Sequence, residues 1–379
     1  MATVRKRTWR NSKGEQTAWV ADYFDQHGSR RIKTFAKKKE ADAFLVTTQG
    51  EVARGVHTPE SASITVAEAC EIWIERGELE KLERTTLKQY RSHADLHIKP
   101  SRIGREKLAR LSTPTIEAFR DDLLKKSSRP MARKILTSLK SILGEAQRRG
   151  LVAHNPAQPV KVDAKKRDQR KLVIGRDIPS KAEVQKFLAA AAGRWRPLFV
   201  TATFTGMRAS ELRGLVWSHV DFERKVIHVR QRANLWGEIG APKSAAGERE
   251  IPMAPIVFNA LREWQLACPR GKDGQLGLVF PNGAGNVEAH SNIATRGFSA
   301  LQLAAGMVDA NGRAKYGPHA LRHFFASWTI EQGFSPKRLQ ALLGHSSIQM
   351  TFDRYGHLFP SLEDDHAKFA AGQLTVVAC

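Results

Sequence analysis

The chain has 379 residues, 41% of them hydrophobic, and its 61 lysines and arginines exceed its 38 aspartates and glutamates, so that the formal net charge is +23. This length predicts two or three domains, and the hydrophobic fraction suffices for folded cores, which excludes a disordered tail protein. The charge points to a polyanionic partner, with nucleic acid ahead of a merely solvated basic surface or an anionic membrane surface.

The expected cellular location follows from features that the sequence lacks. There is no apolar run near the roughly 20 residues that cross a bilayer, and no apolar segment follows the basic N-terminus MATVRKRTWRNSKG, as a secretory signal would require. The cysteines Cys70, Cys268 and Cys379 lie far apart, without the spacing of a disulfide framework or a metal site. We expect a reduced, cytoplasmic protein that has no membrane contact and needs no cofactor.

The first predicted domain, residues 1–55, is a small basic α+β unit. Three runs with strand-like alternation, VRKRTWR, AWVADYF and RRIKTF, are followed by the helical stretch AKKKEADAFLVTTQGEV. A three-stranded sheet plus one helix is therefore expected. The positive charge on the strands suits a sheet that lies on DNA, although a capping sheet with a charged outer face has the same pattern.

Residues 63–165, after the polar linker GVHTPESAS, are predicted to form an all-α domain. Four segments repeat apolar residues at helical spacing, with lysines and arginines between them: ITVAEACEIWIERG, TTLKQYRSHADLHIKP, TPTIEAFRDDLLKK and SSRPMARKILTSLKSILGEAQRRG. The next segment, VKVDAKKRDQRKLVIGRDIP, has a run of positive charge without apolar periodicity, which is typical of a flexible tether.

Residues 175–379 are predicted to form a mainly α domain with a small antiparallel sheet. Ser180 can cap the helix KAEVQKFLAAAAG, and the short run GLVFPN is a further candidate strand. KVIHVRQR and EREIPM alternate as strands and are joined by the turn-rich loop NLWGEIGAPKSAAG, so they are expected to pair. The final segment, AAGQLTVVAC, is expected either to pack against a neighbouring protomer or to fold back on its own domain, and the sequence favours neither alternative.

Four side chains suited to phosphate chemistry lie between residues 319 and 355. His319 and Arg322 share one face of a predicted helix, His345 follows the helix-stop signal LLG, and Tyr355 closes the next short helix. Arginine offers a permanent charge and a fork of donors, histidine exchanges protons near neutral pH, and tyrosine can attack phosphorus. Together they predict phosphoryl transfer through a tyrosine, although a lone tyrosine is more often half-buried packing.

Three further candidates precede this stretch. Arg208, in TGMRASEL, begins a helix whose N-terminal dipole and backbone donors favour phosphate, and Glu211, one turn later, can hold its guanidinium in place. An ordinary salt bridge at a helix start is the alternative. Lys243, between the two predicted strands, is either a solvated loop lysine or, if its loop swings over the phosphate, a proton donor to the leaving oxygen.

His319 and His323 have the i, i+4 spacing of two zinc ligands on a helix. Ala320 stands where a hydrolytic zinc helix carries its glutamate, and the sequence shows no strong cluster for a third ligand. We therefore predict no metal site. His323 precedes the apolar pair Phe324 and Phe325 and is expected to be a core histidine.

The motifs GMRASEL, PKS, HALRH, LLGHSS and DRYGH, in this order, resemble the catalytic domain of the tyrosine recombinases, or phage integrases, over about residues 175–360. Residues 63–165 resemble their core-binding domain, and residues 1–55 the arm-binding domain of phage and integrative-element integrases. The resemblance implies that Tyr355 attacks a scissile DNA phosphate and forms a 3′-phosphotyrosyl link. The other roles it implies are non-bridging oxygen binding by Arg208 and Arg322, a phosphate hydrogen bond from His345, proton transfer around the tyrosine by His319, and general acid catalysis by Lys243.

The resemblance also implies partners and conditions. The partners are double-stranded DNA with core and arm sites, a homotetramer on two duplexes, and excisionase and DNA-bending proteins as candidate accessory factors. Neither metal nor ATP is expected to be needed, because cationic side chains can stabilise the phosphate charge and the covalent link conserves the bond energy. The same positive charge is expected to favour the phenolate of Tyr355.

Three alternatives to an integrase remain open. A chromosome or plasmid resolvase of the same family would usually lack a unit such as residues 1–55. A type IB topoisomerase uses a similar tyrosine site but acts as a monomer without strand exchange. A non-catalytic DNA-binding regulator would keep the fold, and the presence of all six candidate residues argues against it.

Overall fold

The computed structural model describes residues 2–12, 14–163, 171–269, 277–359 and 369. The charged run 164–170 of the predicted tether and the final segment AAGQLTVVAC therefore lie outside the described residues. The chain divides into two compact units, Met1–Lys165 and Lys166–Cys379, each with a hydrophobic core. Across the described ranges, no helix has both the length and the apolar character needed to cross a bilayer.

The first unit begins with an antiparallel meander in which strand order follows the chain. This confirms the predicted sheet of three strands followed by a helix. The elements are β1 (Thr3–Asn11), β2 (Gly14–Phe24), β3 (Arg30–Phe35) and the helix α1 (Lys38–Ala53).

The sheet is tied to the segment that follows α1 by a chain of buried polar contacts. Tyr23 of β2 packs edge-on against Phe44 of α1, with ring centroids 5.8 Å apart. Its hydroxyl is 2.9 Å from Nε2 of His57, whose Nδ1 is 2.9 Å from Glu51 Oε2. Because His57 is only 5% exposed, part of the predicted polar linker is packed into this unit.

The rest of the first unit is helical, which confirms the predicted all-α region. Trp73 and Tyr90 stack with ring centroids 3.8 Å apart, and Nε1 of Trp73 donates a hydrogen bond to Ser141 Oγ at 3.0 Å. The first of these helices begins at a capping box in which Thr65 and Glu68 bond each other's backbone N–H. The helices are α2 (Val66–Leu79), α3 (Arg84–His93), a π-helical turn (Ala94–Ile98), α4 (Arg102–Arg105), α5 (Thr113–Lys126) and α6 (Arg129–Arg148).

The second unit is mainly helical, as predicted, and its core includes a cluster of aromatic rings. Phe187 packs edge-on against Phe199 and Phe298 at centroid distances of 5.2 and 5.3 Å. The helices are α7 (Lys181–Ala190), α8 (Trp195–Thr205), α9 (Ala209–Arg213), α10 (Pro255–Ala267), α11 (His290–Asn292), a π-helical turn (Ile293–Ser299), α12 (Ala300–Ala304), α13 (Ala320–Glu331), α14 (Pro336–Leu343) and α15 (Ile348–Tyr355).

Two small antiparallel sheets accompany these helices. The predicted pairing of KVIHVRQR with EREIPM is present, because β5 (Val226–Val229) pairs with β8 (Arg249–Pro252). With β4 (Val220–Asp221) they form a sheet of order β4-β5-β8. The loop between them folds into an unpredicted hairpin of β6 and β7. GLVFPN, expected as a strand, forms only single bridges, such as Val216 with Leu278. The strands are β4 (Val220–Asp221), β5 (Val226–Val229), β6 (Arg232–Ala233), β7 (Ile239–Gly240) and β8 (Arg249–Pro252).

Candidate active site

Arg208 precedes α9 and is held by that helix's own first turn. Its Nη1 donates to Glu211 Oε1 at 2.8 Å, and its backbone N–H donates to Glu211 Oε2 at 2.8 Å. Its Nη2 donates to the carbonyl of Gly344 at 3.0 Å. Because the Arg208 side chain is still 33% exposed, its guanidinium is fixed in place yet accessible to an anion.

Glu211 holds a second guanidinium, that of Arg249 at the start of β8. Nη2 of Arg249 donates to Oε2 of Glu211 at 2.8 Å, and its Nε donates to the carbonyl of Leu342 at 2.7 Å. Burial acts to raise the pKa of Glu211, but the hydrogen bonds and charge of Arg249, together with the charge of Arg208, outweigh burial and lower that pKa. Glu211 is therefore an ionised carboxylate between two arginines.

Arg322, in the first turn of α13, is buried among backbone carbonyls. Its Nη1 donates to Gly206 O and its Nη2 donates to Leu343 O, both at 2.6 Å. Burial, followed by the charge of Arg208, lowers the pKa of Arg322 to about 9. The side chain thus stays protonated at neutral pH, close to a second cation that it repels.

Two glycines in the left-handed conformation position carbonyl groups that accept hydrogen bonds from Arg208 and Arg322. Gly206 ends α8 with φ 61°, and Gly344 ends α14 with φ 64°. A Cβ on Gly206 would lie 2.3 Å from the Phe325 ring, and a Cβ on Gly344 would lie 2.9 Å from the carbonyl oxygen of Ala246. Backbone conformation and space both require glycine at these two helix ends.

His345 follows Gly344 and lies in the same buried cluster. Its Nδ1 is 2.9 Å from Thr351 Oγ1, and its ring is parallel to that of Tyr355, with centroids 6.4 Å apart. Burial, then the charges of Arg322 and Arg208, lower the pKa of His345 to about 4. The imidazole is therefore neutral near pH 7. In the tautomer whose Nδ1 accepts from the Thr351 hydroxyl, the Nε2–H of His345 is a hydrogen-bond donor.

Tyr355 ends α15, as predicted, and is 2% exposed. Its hydroxyl is 2.8 Å from Nδ1 of His323. The prediction that His323 is a core histidine is wrong: the side chain is only half-buried, because its ring reaches across from α13 to the hydroxyl on α15. The resemblance implied His319 for proton transfer around the tyrosine, but the side chain in contact with the hydroxyl is His323.

The ionisation of Tyr355 also differs from the expectation. Burial raises its pKa above the ordinary value for tyrosine, and this outweighs the lowering by the charges of Arg322 and Arg354. The phenol is therefore protonated at neutral pH. Positive charge does lower this pKa, as expected, but desolvation of the anion is the larger effect, so the phenolate is not favoured overall.

The remaining two candidates lie at the edge of the cluster. His319, the residue that precedes α13, is exposed, and its ring centroid is 6.4 Å from that of His323. Desolvation, then the charge of Arg322, lowers the pKa of His319. Lys243 is exposed in the loop between β7 and β8. Its ammonium group has no hydrogen bond or ion pair with the part of the chain that the structure describes.

The structure thus brings together Arg208, Glu211, Arg322, His345 and Tyr355. Lys243 makes no hydrogen bond or ion pair with them. Arg249 and His323 belong to the cluster but were not predicted as site residues. A signal for Arg249 was present, since a charged residue occupies a buried position of an alternating strand. Within the described ranges, no group of three or more histidine, cysteine, aspartate or glutamate side chains is placed to bind a metal ion.

The cluster places cationic hydrogen-bond donors beside the phenolic hydroxyl of Tyr355. Three guanidinium groups surround one carboxylate, so the cluster has a surplus of positive charge. Preorganised cationic donors of this kind stabilise the charge that develops on a phosphoryl group. These are the groups that phosphoryl transfer through a tyrosine requires.

Comparison with known proteins agrees with this chemistry. Residues 177–361 match the phage integrase family. The chain is 26% identical to a tyrosine recombinase XerC-like protein of Caldanaerobacter subterraneus, over 89% of this chain and 90% of that protein. It is 25% identical to the prophage integrase IntR of Escherichia coli, over 82% of this chain and 80% of that protein.

A solved structure shares the fold. The integrase of transposon Tn1549, in complex with a circular intermediate DNA, superposes with a TM-score of 0.68 at 22% identity, covering 82% of this chain and 99% of that chain. The second unit therefore carries a domain that matches the phage integrase family, in residues 177–361. Enzymes of this family cut and rejoin DNA strands at specific sites.

Proposed function

We propose that the protein is an integrase that moves a phage or other mobile element by cutting and rejoining DNA through Tyr355. The observation that carries the proposal is the convergence of Arg208 and Arg322 on the ends of α8 and α14, beside the Tyr355 hydroxyl. Tyr355 is the proposed nucleophile, and Arg208 and Arg322 bind the non-bridging oxygens of the phosphate. His345 donates a hydrogen bond to the same phosphate, and Lys243 is the general acid. His319 transfers protons near the site, and Glu211 holds Arg208 in place.

The reaction is a pair of transesterifications. The Tyr355 oxygen attacks phosphorus, a P–O bond to the tyrosine forms, and the P–O bond to the 5′ oxygen breaks. A 5′ hydroxyl from another strand then reverses these steps. Because one phosphate ester replaces another at each step, no ATP is required, and the guanidinium groups supply the positive charge that a metal ion supplies in other phosphoryl-transfer enzymes.

The assigned role of Lys243 requires a loop movement. The lysine lies on an exposed loop that connects β7 to β8 through Gly247, whose carbonyl accepts a hydrogen bond from Nη1 of Arg249 at 2.9 Å. One end of the loop is therefore anchored to the arginine cluster, while the lysine itself is exposed. DNA bound over the cluster would give its ammonium group a phosphate to approach.

The proposed partners follow from the number of strands exchanged. Two duplexes exchange four strands, and each protomer offers one Tyr355, so four protomers on DNA are required. The helical region of the first unit and the second unit would bind the core site. The charged N-terminal sheet would bind arm sites, and excisionase and DNA-bending proteins are candidate accessory factors.

A nicked suicide duplex that carries the element's own junction sequence tests this function. Cleavage releases a short fragment, so the covalent protein–DNA adduct accumulates and can be counted on a denaturing gel. We expect an adduct with the wild-type protein in the presence of EDTA and none with Tyr355→Phe, which should retain DNA binding in a gel-shift assay. An adduct formed by Tyr355→Phe, or wild-type adduct lost in EDTA, would contradict the proposed mechanism.

A further inference from the structure

The hydroxyl of Tyr355 has a defined hydrogen-bond partner. His323 Nδ1 lies 2.8 Å from it, and the two rings meet edge to face, with centroids 5.8 Å apart and an interplanar angle of 61°. Among the described residues, no other hydrogen bond to this hydroxyl is present. The partner comes from α13, the same helix that carries Arg322, so the oxyanion donor and the group on the nucleophile share one rigid element.

The protonation states of the two groups follow from their burial and the charges around them. Burial is the main cause that lowers the pKa of His323, to about 4. The charges of Arg354 on α15, His319 just before α13 and Arg322 on α13 lower it further, while Asp177 acts in the opposite direction. The imidazole is therefore neutral at neutral pH. The phenol, whose pKa is raised, is protonated. A protonated phenol has an O–H to donate, and a neutral imidazole with its ring hydrogen on Nε2 presents Nδ1 as the acceptor. The proton transfer proposed below uses this tautomer.

We propose that His323 is a catalytic residue that accepts the phenolic proton of Tyr355 during DNA cleavage and returns it during rejoining. The inference rests on the proposed function of Tyr355 as nucleophile. As the bond from the tyrosine oxygen to phosphorus forms, the O–H bond breaks and its proton passes to Nδ1 of His323. The electron pair of the breaking P–O bond leaves on the 5′ oxygen, which takes a proton from the general acid. In rejoining, the tyrosine oxygen leaves phosphorus and regains its proton from His323.

The bound phosphate makes this proton transfer easier. In the DNA-free protein the neighbouring cations oppose a positive charge on His323, which makes the imidazole a weak base. A phosphodiester held by Arg322 brings a negative charge into the same cluster and offsets that repulsion, so the basicity of His323 rises. The nucleophile is thus activated when DNA is in place and remains a protonated phenol when it is absent.

The other histidines of the cluster are less suited to this role. Nδ1 of His345 is engaged with Thr351, and its ring lies parallel to Tyr355 at a centroid distance of 6.4 Å rather than in the plane of the hydroxyl. His319 is exposed, and its contact is with the His323 ring. His319 can pass a proton between solvent and the cluster, which is compatible with a proton acceptor at His323.

The test compares two substitutions of His323 in single-turnover adduct formation on the suicide duplex. His323→Asn places an amide oxygen where Nδ1 lies, so it keeps a hydrogen-bond acceptor but cannot take a proton. His323→Ala removes both functions. We expect both variants to bind DNA normally and to form adduct about 100-fold more slowly at neutral pH, which is the usual size of a general-base contribution. A denaturation midpoint near that of the wild type shows that each variant is folded.

The pH profile separates a proton acceptor from a merely structural residue. Without His323 the proton must pass to solvent, so the rates of both variants should rise steeply between about pH 7 and 9, while the wild-type rate changes less. Replacing Tyr355 of the His323→Asn protein with a fluorinated tyrosine of lower phenolic pKa should restore much of the lost rate. His357→Asn is the matched control, because His357 lies two residues after Tyr355 but its Nε2 bonds the carbonyl of Leu172. It should react at the wild-type rate.

Two outcomes would overturn the inference while leaving the proposed function intact. One is a wild-type rate for His323→Asn. The other is slow variants that keep the wild-type pH profile and gain nothing from the fluorinated tyrosine, which would mean that His323 only supports the fold. Adduct formation by Tyr355→Phe would instead refute the proposed function itself.

Discussion

Glu211 is the residue on which the arginine cluster depends, because one buried carboxylate holds both Arg208 and Arg249. We predict that Glu211→Gln lowers the free energy of unfolding by about 3 kcal/mol, since it leaves two partly buried cations without their counter-charge. Adduct formation should fall about 100-fold, because Arg208 is no longer held at the phosphate. Urea denaturation and the suicide duplex measure the two effects. Glu263→Gln, at an exposed position of α10, should change neither.

The same carboxylate predicts the pH dependence of stability. The pKa of Glu211 is lower in the folded protein than in the unfolded chain. Its contribution is therefore complete above the unfolded pKa, near 4.3, and is lost as the pH falls through the folded pKa. Between about pH 5 and 3 the wild-type protein should lose more stability than Glu211→Gln. Parallel curves for the two proteins would show that the carboxylate is not coupled to folding.

Residue types and short spacings were enough to predict five of the side chains that the structure brings together. They were insufficient for Arg249 and His323, because the partner of each is distant in the chain. Arg249 belongs to the site because it bonds Glu211. His323 belongs to it because it contacts Tyr355, which lies on another helix. The sequence predicted a core position for His323, because the apolar residues Phe324 and Phe325 follow it. Only the packing of α13 against α15 shows that its ring meets a hydroxyl.

Carbonyl groups at helix ends hold the guanidinium groups of Arg208 and Arg322, and this leads to a prediction about the glycines at those ends. Gly206 and Gly333, which follow α8 and α13, both have positive φ, but only Gly206 has a neighbour within 4 Å of the position a Cβ would take. Gly333→Ala should cost about 1 kcal/mol for the left-handed conformation alone. Gly206→Ala should cost a further 1–3 kcal/mol, because the new methyl group overlaps the Phe325 ring.

Catalysis should respond to these two glycines differently as well. The carbonyl of Gly206 accepts a hydrogen bond from Arg322, so a shift of this helix end moves the buried arginine. We expect Gly206→Ala to slow adduct formation at a temperature where it is still folded, and Gly333→Ala to react like the wild type. Equal stability losses in the two variants would show that the clash with Phe325 is relieved elsewhere.

The elements themselves were largely predictable, because each carries a local signal. The N-terminal strands alternate, the helices repeat apolar residues, and Ser180 caps α7 with Glu183 in a capping box. The failures are short pieces whose structure depends on distant partners. The hairpin of β6 and β7 has only two residues in each strand, too few for an alternating pattern. GLVFPN has the composition of a strand but lacks a neighbouring strand long enough to pair with it.

At the scale of the whole molecule, the net charge of +23 raises the question of which basic residues contact DNA. Removing residues 1–55 is a poor test of the N-terminal sheet, because it also removes the Tyr23 and Glu51 side chains that bond His57. Substitution of exposed arginines on β1 is a test that disturbs the fold less. Arg7 and Arg10 are both exposed, and substituting them leaves the contacts of Tyr23 unchanged.

We predict that Arg7→Ala with Arg10→Ala leaves adduct formation on a core-site duplex unchanged but impairs recombination that needs flanking arm sites. If both arginines contact phosphates, the slope of log affinity for arm DNA against log salt should become shallower by about 0.9 per lost contact. The double substitution of Lys39 and Arg54, two exposed cations on and just after α1, removes the same charge outside the sheet. An equal loss in that control would mean that net charge, rather than the sheet, binds the DNA. Unchanged recombination in the Arg7 and Arg10 variant would contradict arm binding by this face, because the loss of phosphate contacts should weaken binding to the arm sites.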